Sequence, residues 1–202
     1  MEYIIIIELI ILIGMVLIRS AMLRKKGINA IVFGVTDKTD FILVPIILCF
    51  FYALFAPIFN LPLPEILKST FWNIDTLNYL AMNHFIILPI NYLAIIICTI
   101  ALIWLAITLK IFGDSFRVGI DEDTKEELIT TGTFALSRNP IYIAAIAFFF
   151  GIFLSYPTIT TSIFLIFLII MIHRQILREE EFLKVHYKKE YAKYCSNVRR
   201  YI

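Results

Sequence analysis

Apolar residues run in long stretches along this chain, and the polar ones gather between them and near the end. About 20 mostly apolar residues in helical form cross a hydrocarbon core, because a helix satisfies its backbone polar groups within itself. The first such stretch runs from about Met1 or Tyr3 to Ile18. The second runs from Phe41 to Phe59, with Pro45 and Pro57 near its ends. The third runs from Phe85 to Leu109, with Pro89 in its first turns, where proline costs little. The last block, Ile141 to Ile172, is too long for one comfortable crossing at about 1.5 Å per residue. It divides between Gly151 and Thr158, where Ser155-Tyr156-Pro157 supplies turn chemistry, and so forms a helical hairpin. The pattern predicts an all-α, polytopic integral membrane protein with five transmembrane helices, the last two paired in that hairpin, and a cytoplasmic helical tail.

Charge tests this layout independently. Cytoplasmic loops collect Lys and Arg, and with five helices and the N-terminus outside, every basic residue except Lys68 falls on the inner side. Arg19, Arg24, Lys25, Lys26 and Lys38 follow the first helix; Lys110, Arg117, Lys125 and Arg138 follow the third; the remainder, from Arg174 to Arg200, follow the fifth. No basic residue precedes the first stretch, so it reads as a retained membrane helix rather than a signal peptide. The Asn60 to His84 loop, with Pro62, Pro64, Trp72 and Asn78, suits the outer headgroup layer.

Composition narrows the function. Of the 202 residues 60% are apolar and 17% charged, against about 45–50% and 25% in ordinary soluble domains. The seven glycines are scattered, with no GxGxxG turn and no phosphate loop, which excludes a Rossmann-type cofactor domain. Cys49, Cys98 and Cys195 have no spacing for a metal site or a disulfide framework. No metal and no nucleic acid is implied, and the oligomeric state is open.

Polar chemistry concentrates in the Lys110 to Asn139 loop and the Arg174 to Ile202 tail, which flank the hairpin. Because a hairpin returns to the side it left, these segments meet, giving a site that is polar on one side and bounded by membrane on the other. Residues 1–109 therefore read as an N-terminal membrane region of three helices, and 110–202 as the functional half. In Ser137-Arg138-Asn139-Pro140-Ile141-Tyr142, Asn139 is placed to cap a helix that starts at Pro140. The helix end and Arg138 could hold a carboxylate or phosphate; equally, Asn139 could only cap and Arg138 only anchor at headgroups. Glu179, Glu180 and Glu181 point in different directions around a helix, so at most one or two enter one pocket. Leu183, Tyr187, Tyr191 and Tyr194 share one face, a packing stripe. His173 and His186 have no evident partner. Glu8 lies in hydrocarbon, where an acid is either functional or paired.

The run from Leu128 through Thr131-Gly132 and Ser137-Arg138-Asn139-Pro140-Ile141-Tyr142, with Glu179-Glu180 and the tail Leu183, Tyr187, Tyr191, Tyr194, Val198 and Arg199, resembles the isoprenylcysteine carboxyl methyltransferase family and the related phospholipid N-methyltransferases. The resemblance covers Gly113 to Arg200. It implies an integral membrane methyltransferase that uses S-adenosyl-L-methionine and acts on a lipid-like or prenylated small molecule. The prenylcysteine carboxylate comes first among acceptors, with a phospholipid amine as the alternative and a steroid-reductase-like NADPH enzyme as a rival of another class. By the same resemblance Glu126, Glu127, Leu128, Ile129, Phe134, Arg138, Asn139, Pro140 and Tyr142 would bind the cofactor, and Glu179, Glu180 and Arg174 would serve catalysis. Asn139 stands where many members have histidine. Gln175 stands where an arginine associated with substrate is expected, and Arg174 or Arg178 could substitute. Thr133 and Lys188 stand where proline and glycine are usual.

Overall fold

In the computed structural model, residues 2–28, 43–55, 62, 84–113, 128–157 and 159–202 are described. Pro57, Lys68, Trp72, Asn78, Glu126 and Glu127 lie outside them. All regular structure among the described residues is helical: α1 (Glu2–Lys25), α2 (Leu43–Phe55), α3 (His84–Phe112), a short 3-10 turn (Gly132–Ala135), α4 (Pro140–Ser155) and α5 (Ile159–Asn197). Three segments among them are long and apolar enough to cross a membrane, Ile4–Lys25, Pro89–Phe112 and Thr160–Asn197. With 16 residues, α4 spans about 24 Å, short of a hydrocarbon core of about 30 Å.

The sequence pattern places α1 two turns too short. The helix continues through Arg19 and Arg24 to Lys25 and stops at Gly27, whose φ of 77° suits glycine. There the Ile28 amide donates to the Leu23 carbonyl at 3.0 Å, closing the helix end as such glycines commonly do. The hairpin break falls at the late end of the expected interval: α4 runs through Gly151, and the chain turns after Ser155.

The core runs along α3, which packs against α1 on one side and α4 on the other, while α4 pairs with α5. Gly151 makes the close approach of α3 and α4 possible, since a Cβ there would lie 2.4 Å from Cys98 Sγ and 3.0 Å from the Ala94 carbonyl. Above this contact, Cys98, Ala101, Phe148 and Ile152 join Ile5, Leu9, Phe50 and Phe164 in one apolar cluster. Glu8 is buried beside it; its Oε1 accepts a 2.6 Å hydrogen bond from Thr99, while Oε2 is buried without a partner, so the acid is only half satisfied.

The C-terminal end of α3 anchors the segment that enters the hairpin. Trp104 Nε1 donates to the Pro140 carbonyl at 3.0 Å, and Thr108 and Thr133 hydroxyls meet at 3.1 Å in a buried pair. The Phe134 ring lies 5.0 Å from that of Phe112. Gly132, at φ 63°, allows the turn to sit against Ile111.

Lys188 adopts φ 45°, ψ −111°, breaking α5 at a position where a side chain is strained. Nothing in lysine chemistry signals this; only the glycine usual in similar sequences does. Lys188→Gly is expected to raise stability by about 1 kcal/mol, relief of strain exceeding the added chain entropy. Thermal unfolding in detergent checks it, and an unchanged or lower midpoint would show that the turn carries no strain.

Candidate functional site

Past Ile172 the α5 sequence turns polar, and this extension faces the start of α4. The two ends of the hairpin meet through side chains. The Tyr142 hydroxyl, in the first turn of α4, donates to Glu179 Oε1 at 2.5 Å. Gln175, one turn before Glu179 on α5, donates to the same oxygen at 2.7 Å. Arg178 in turn donates to the Gln175 side-chain oxygen. Burial pushes the Glu179 carboxyl above its usual range, and the hydrogen bonds from Tyr142 and Gln175 and the Arg178 charge offset this only in part.

The neighbouring glutamate points elsewhere, as adjacent helical positions must. The Glu180 side chain, 4% exposed, is held by the Arg200 guanidinium in a fork, Nε to Oε1 at 3.0 Å and Nη2 to Oε2 at 2.8 Å. Arg138 Nη1 lies 3.3 Å from Oε1. Burial alone would raise the Glu180 carboxyl, yet the Arg200 hydrogen bonds and the charges of Arg138, Arg200 and Lys184 outweigh it and hold it below the ordinary range. Glu181 is exposed.

The C-terminal residues close over the entry to α4. The Arg138 amide donates to the Arg199 carbonyl at 3.0 Å, and the Arg200 carbonyl accepts from Ser137 Oγ at 3.2 Å and Asn139 Nδ2 at 3.1 Å. His173 Nδ1 lies 2.7 Å from the Tyr201 hydroxyl, so His173 does have a partner. Tyr194, its phenol pushed up to about 12 by burial, donates to the Phe134 carbonyl at 2.6 Å. Tyr191 and Tyr194 are buried, and Leu183 and Tyr187 half-buried, consistent with a packing stripe.

Asn139 corrects one expectation. It precedes α4 as expected, with Pro140 at the first helical position, but its side chain makes no cap and reaches the tail instead. The Ser137 hydroxyl takes the Asn139 amide at 3.0 Å. A side-chain cap on the first turn of α4 is thus absent, leaving the positive helix end to another acceptor. Arg138 is not a headgroup anchor either: its side chain is 13% exposed, turned inward onto Glu180 and Cys195.

Phe134, Arg138, Asn139, Pro140, Tyr142, Glu179 and Glu180 therefore come together where the hairpin ends meet. Leu128 and Ile129 are half-buried in the segment before the 3-10 turn. Arg174 is exposed, and the arginine whose charge acts on Glu179 is Arg178. Ser137 opens the Ser137–Tyr142 motif without a role of its own there, and no local pattern marks Arg200; the contact between the two joins residues 63 apart in the chain. Among the described residues no group of three or more His, Cys, Asp or Glu side chains could hold a metal ion.

S-adenosylmethionine carries a carboxylate, and the residues present suit it. Two guanidiniums, Arg138 and Arg200, surround the single Glu180 carboxylate, and Arg138 Nε is buried without a partner. One positive charge remains beside the uncapped start of α4, an arrangement that favours an anion.

Fold and site define an all-α membrane protein whose polar groups converge at the end of a helical hairpin. A family model described as phospholipid methyltransferase matches residues 83–190, more than half of the chain, and the chain belongs to that family. The protein is a membrane methyltransferase, in the same superfamily as the isoprenylcysteine carboxyl methyltransferases. No curated protein and no solved structure matches the chain.

Proposed function

We propose that this protein transfers a methyl group from S-adenosylmethionine to the amine of a membrane-embedded amphiphile, of which a phospholipid headgroup is the type. The observation that carries the reading is Glu179, a carboxyl raised in pKa and held by two neutral donors, Tyr142 and Gln175, where the hairpin ends meet. The bound cofactor would supply an activated methyl on a sulfonium. Arg138 and the start of α4 would hold its carboxylate, and Leu128, Ile129 and Phe134 would flank it, together with Glu126 and Glu127. Displacement at a methyl carbon needs in-line alignment and exclusion of water more than acid catalysis. An ammonium acceptor must first lose a proton. Glu179 can take it at Oε1 or Oε2, because its raised affinity narrows the gap to the amine.

The prenylcysteine carboxylate, which the sequence resemblance puts first, is the second reading. Its specific support is Arg178, which lies over Gln175 and would orient an acceptor already ionised at neutral pH. With Gln175 in the arginine's place, the position next to Glu179 offers a carboxylate an amide instead of a charge, and the amine is preferred. The placement of residues 110–202 as the catalytic half, five crossings, an outer N-terminus and a cytoplasmic site belong to the same proposal. The distribution of basic residues supports them.

The test incubates detergent-solubilised protein with labelled methyl donor and separate phosphatidylethanolamine, prenylcysteine and small-thiol acceptors. Label retained on the phosphatidylethanolamine nitrogen is expected. Base-labile methyl ester on prenylcysteine alone would establish the second reading, and label in none of the three would contradict both.

A further inference from the structure

We propose that Arg200 is a positioning residue that keeps the Arg138 charge available to the methyl donor by occupying Glu180. This rests on the methyltransferase reading of the site. The inference follows from how three side chains share one carboxylate. Glu180 is almost fully buried, so its charge must be met by a nearby cation. Two compete for it. Arg200 takes both oxygens in a fork, and Arg138 touches only Oε1, by one nitrogen at 3.3 Å, its Nε left buried and unpartnered. A bidentate fork satisfies a carboxylate far better than a single long contact. The hydrogen-bonding positions of Glu180 are therefore taken by Arg200, whose side chain is 34% exposed, while Arg138 acts on it through charge and the single longer contact. Arg138, 13% exposed and two residues before the start of α4, keeps a buried Nε without a partner.

Removing the Arg200 guanidinium would leave Glu180 to draw on Arg138, the other guanidinium in contact with it. The tail would still be held, since the contacts to Ser137 and Asn139 run through the Arg200 backbone carbonyl, which every substitution keeps. A side-chain change at Arg200 thus separates charge balance from closure of the tail.

Titration of the purified full-length protein with S-adenosylhomocysteine, the demethylated donor, tests this by direct binding. Arg200→Gln is expected to weaken binding about tenfold, the loss of one charge-assisted contact. Glu180→Gln/Arg200→Gln is expected to recover most of that loss, because Arg138 is again unopposed. In turnover, Arg200→Gln raises KM for the donor and leaves kcat at saturating donor unchanged. Glu180→Gln alone is expected to tighten S-adenosylhomocysteine binding, because it removes the anion opposing Arg138, and this holds the inference to account even where Arg200→Gln fails to fold. Unchanged binding in Arg200→Gln, additive losses in the double variant, or weakened binding in Glu180→Gln would each overturn it. Failure of the unaltered protein to bind S-adenosylhomocysteine would overturn the methyltransferase site itself.

Discussion

Glu179→Gln is expected to lower kcat for methyl transfer about 100-fold or more while leaving S-adenosylhomocysteine affinity unchanged, the magnitude typical of losing a positioned base. Glutamine fills the same volume and still accepts the Tyr142 hydroxyl, so the geometry at the hairpin ends survives and only the capacity to take a proton is lost. Steady-state rates and binding titrations on the same preparation check both halves. In the unaltered protein the rate should rise as pH rises through the elevated Glu179 pKa, since the deprotonated form is the one that accepts a proton. The variant should lose that limb. A variant with full activity would remove Glu179 from the chemistry and with it the preference for an amine acceptor.

Glu180→Ala is expected to cost about 3 kcal/mol of stability, since breaking a buried ion pair leaves its partner desolvated and uncompensated. That is the low end for such changes, because Arg200 is partly in water while Arg138 is not. Thermal unfolding in detergent reads the loss, and Glu180→Gln should fall between, retaining an acceptor for the Arg200 fork. A midpoint unchanged in Glu180→Ala would mean that the ion-pair cluster contributes nothing to stability. The two adjacent glutamates oppose each other in pH. Glu180 has a depressed folded pKa, so its stabilisation is present above the unfolded value of about 4.3 and is lost as pH falls through the folded value. Glu179 has a raised folded pKa, so its contribution is full below about 4.3 and is lost as pH rises through the folded value. Glu180→Ala should therefore be less acid-sensitive than the unaltered protein, and Glu179→Gln less sensitive at the upper limb.

Local chemistry was readable wherever one segment decides it. Apolar length and prolines locate α1, α3 and the start of α4 at Pro140, and turn residues locate the break before Ile159. The family resemblance reached the right superfamily and ranked its two branches by acceptor, with the matched model falling on the phospholipid branch. What could not be read depends on partners far apart in the chain. Asn139 has the ideal chemistry for a cap, yet the Arg200 carbonyl takes its side chain. Arg138 looks like a headgroup anchor until Glu180 and the returning tail enclose it. Arg200 reads as one more basic residue in a charged tail, and only its fork onto Glu180 distinguishes it. At Lys188 the sequence shows only a departure from the usual glycine, whereas its positive φ gives that glycine a conformational reason.

The most direct measurement is calorimetric titration of the purified full-length protein with S-adenosylhomocysteine and, separately, with NADPH. A donor-binding site at the meeting of the hairpin ends gives saturable binding of S-adenosylhomocysteine and no heat with NADPH. Saturable NADPH binding with no response to S-adenosylhomocysteine would contradict it.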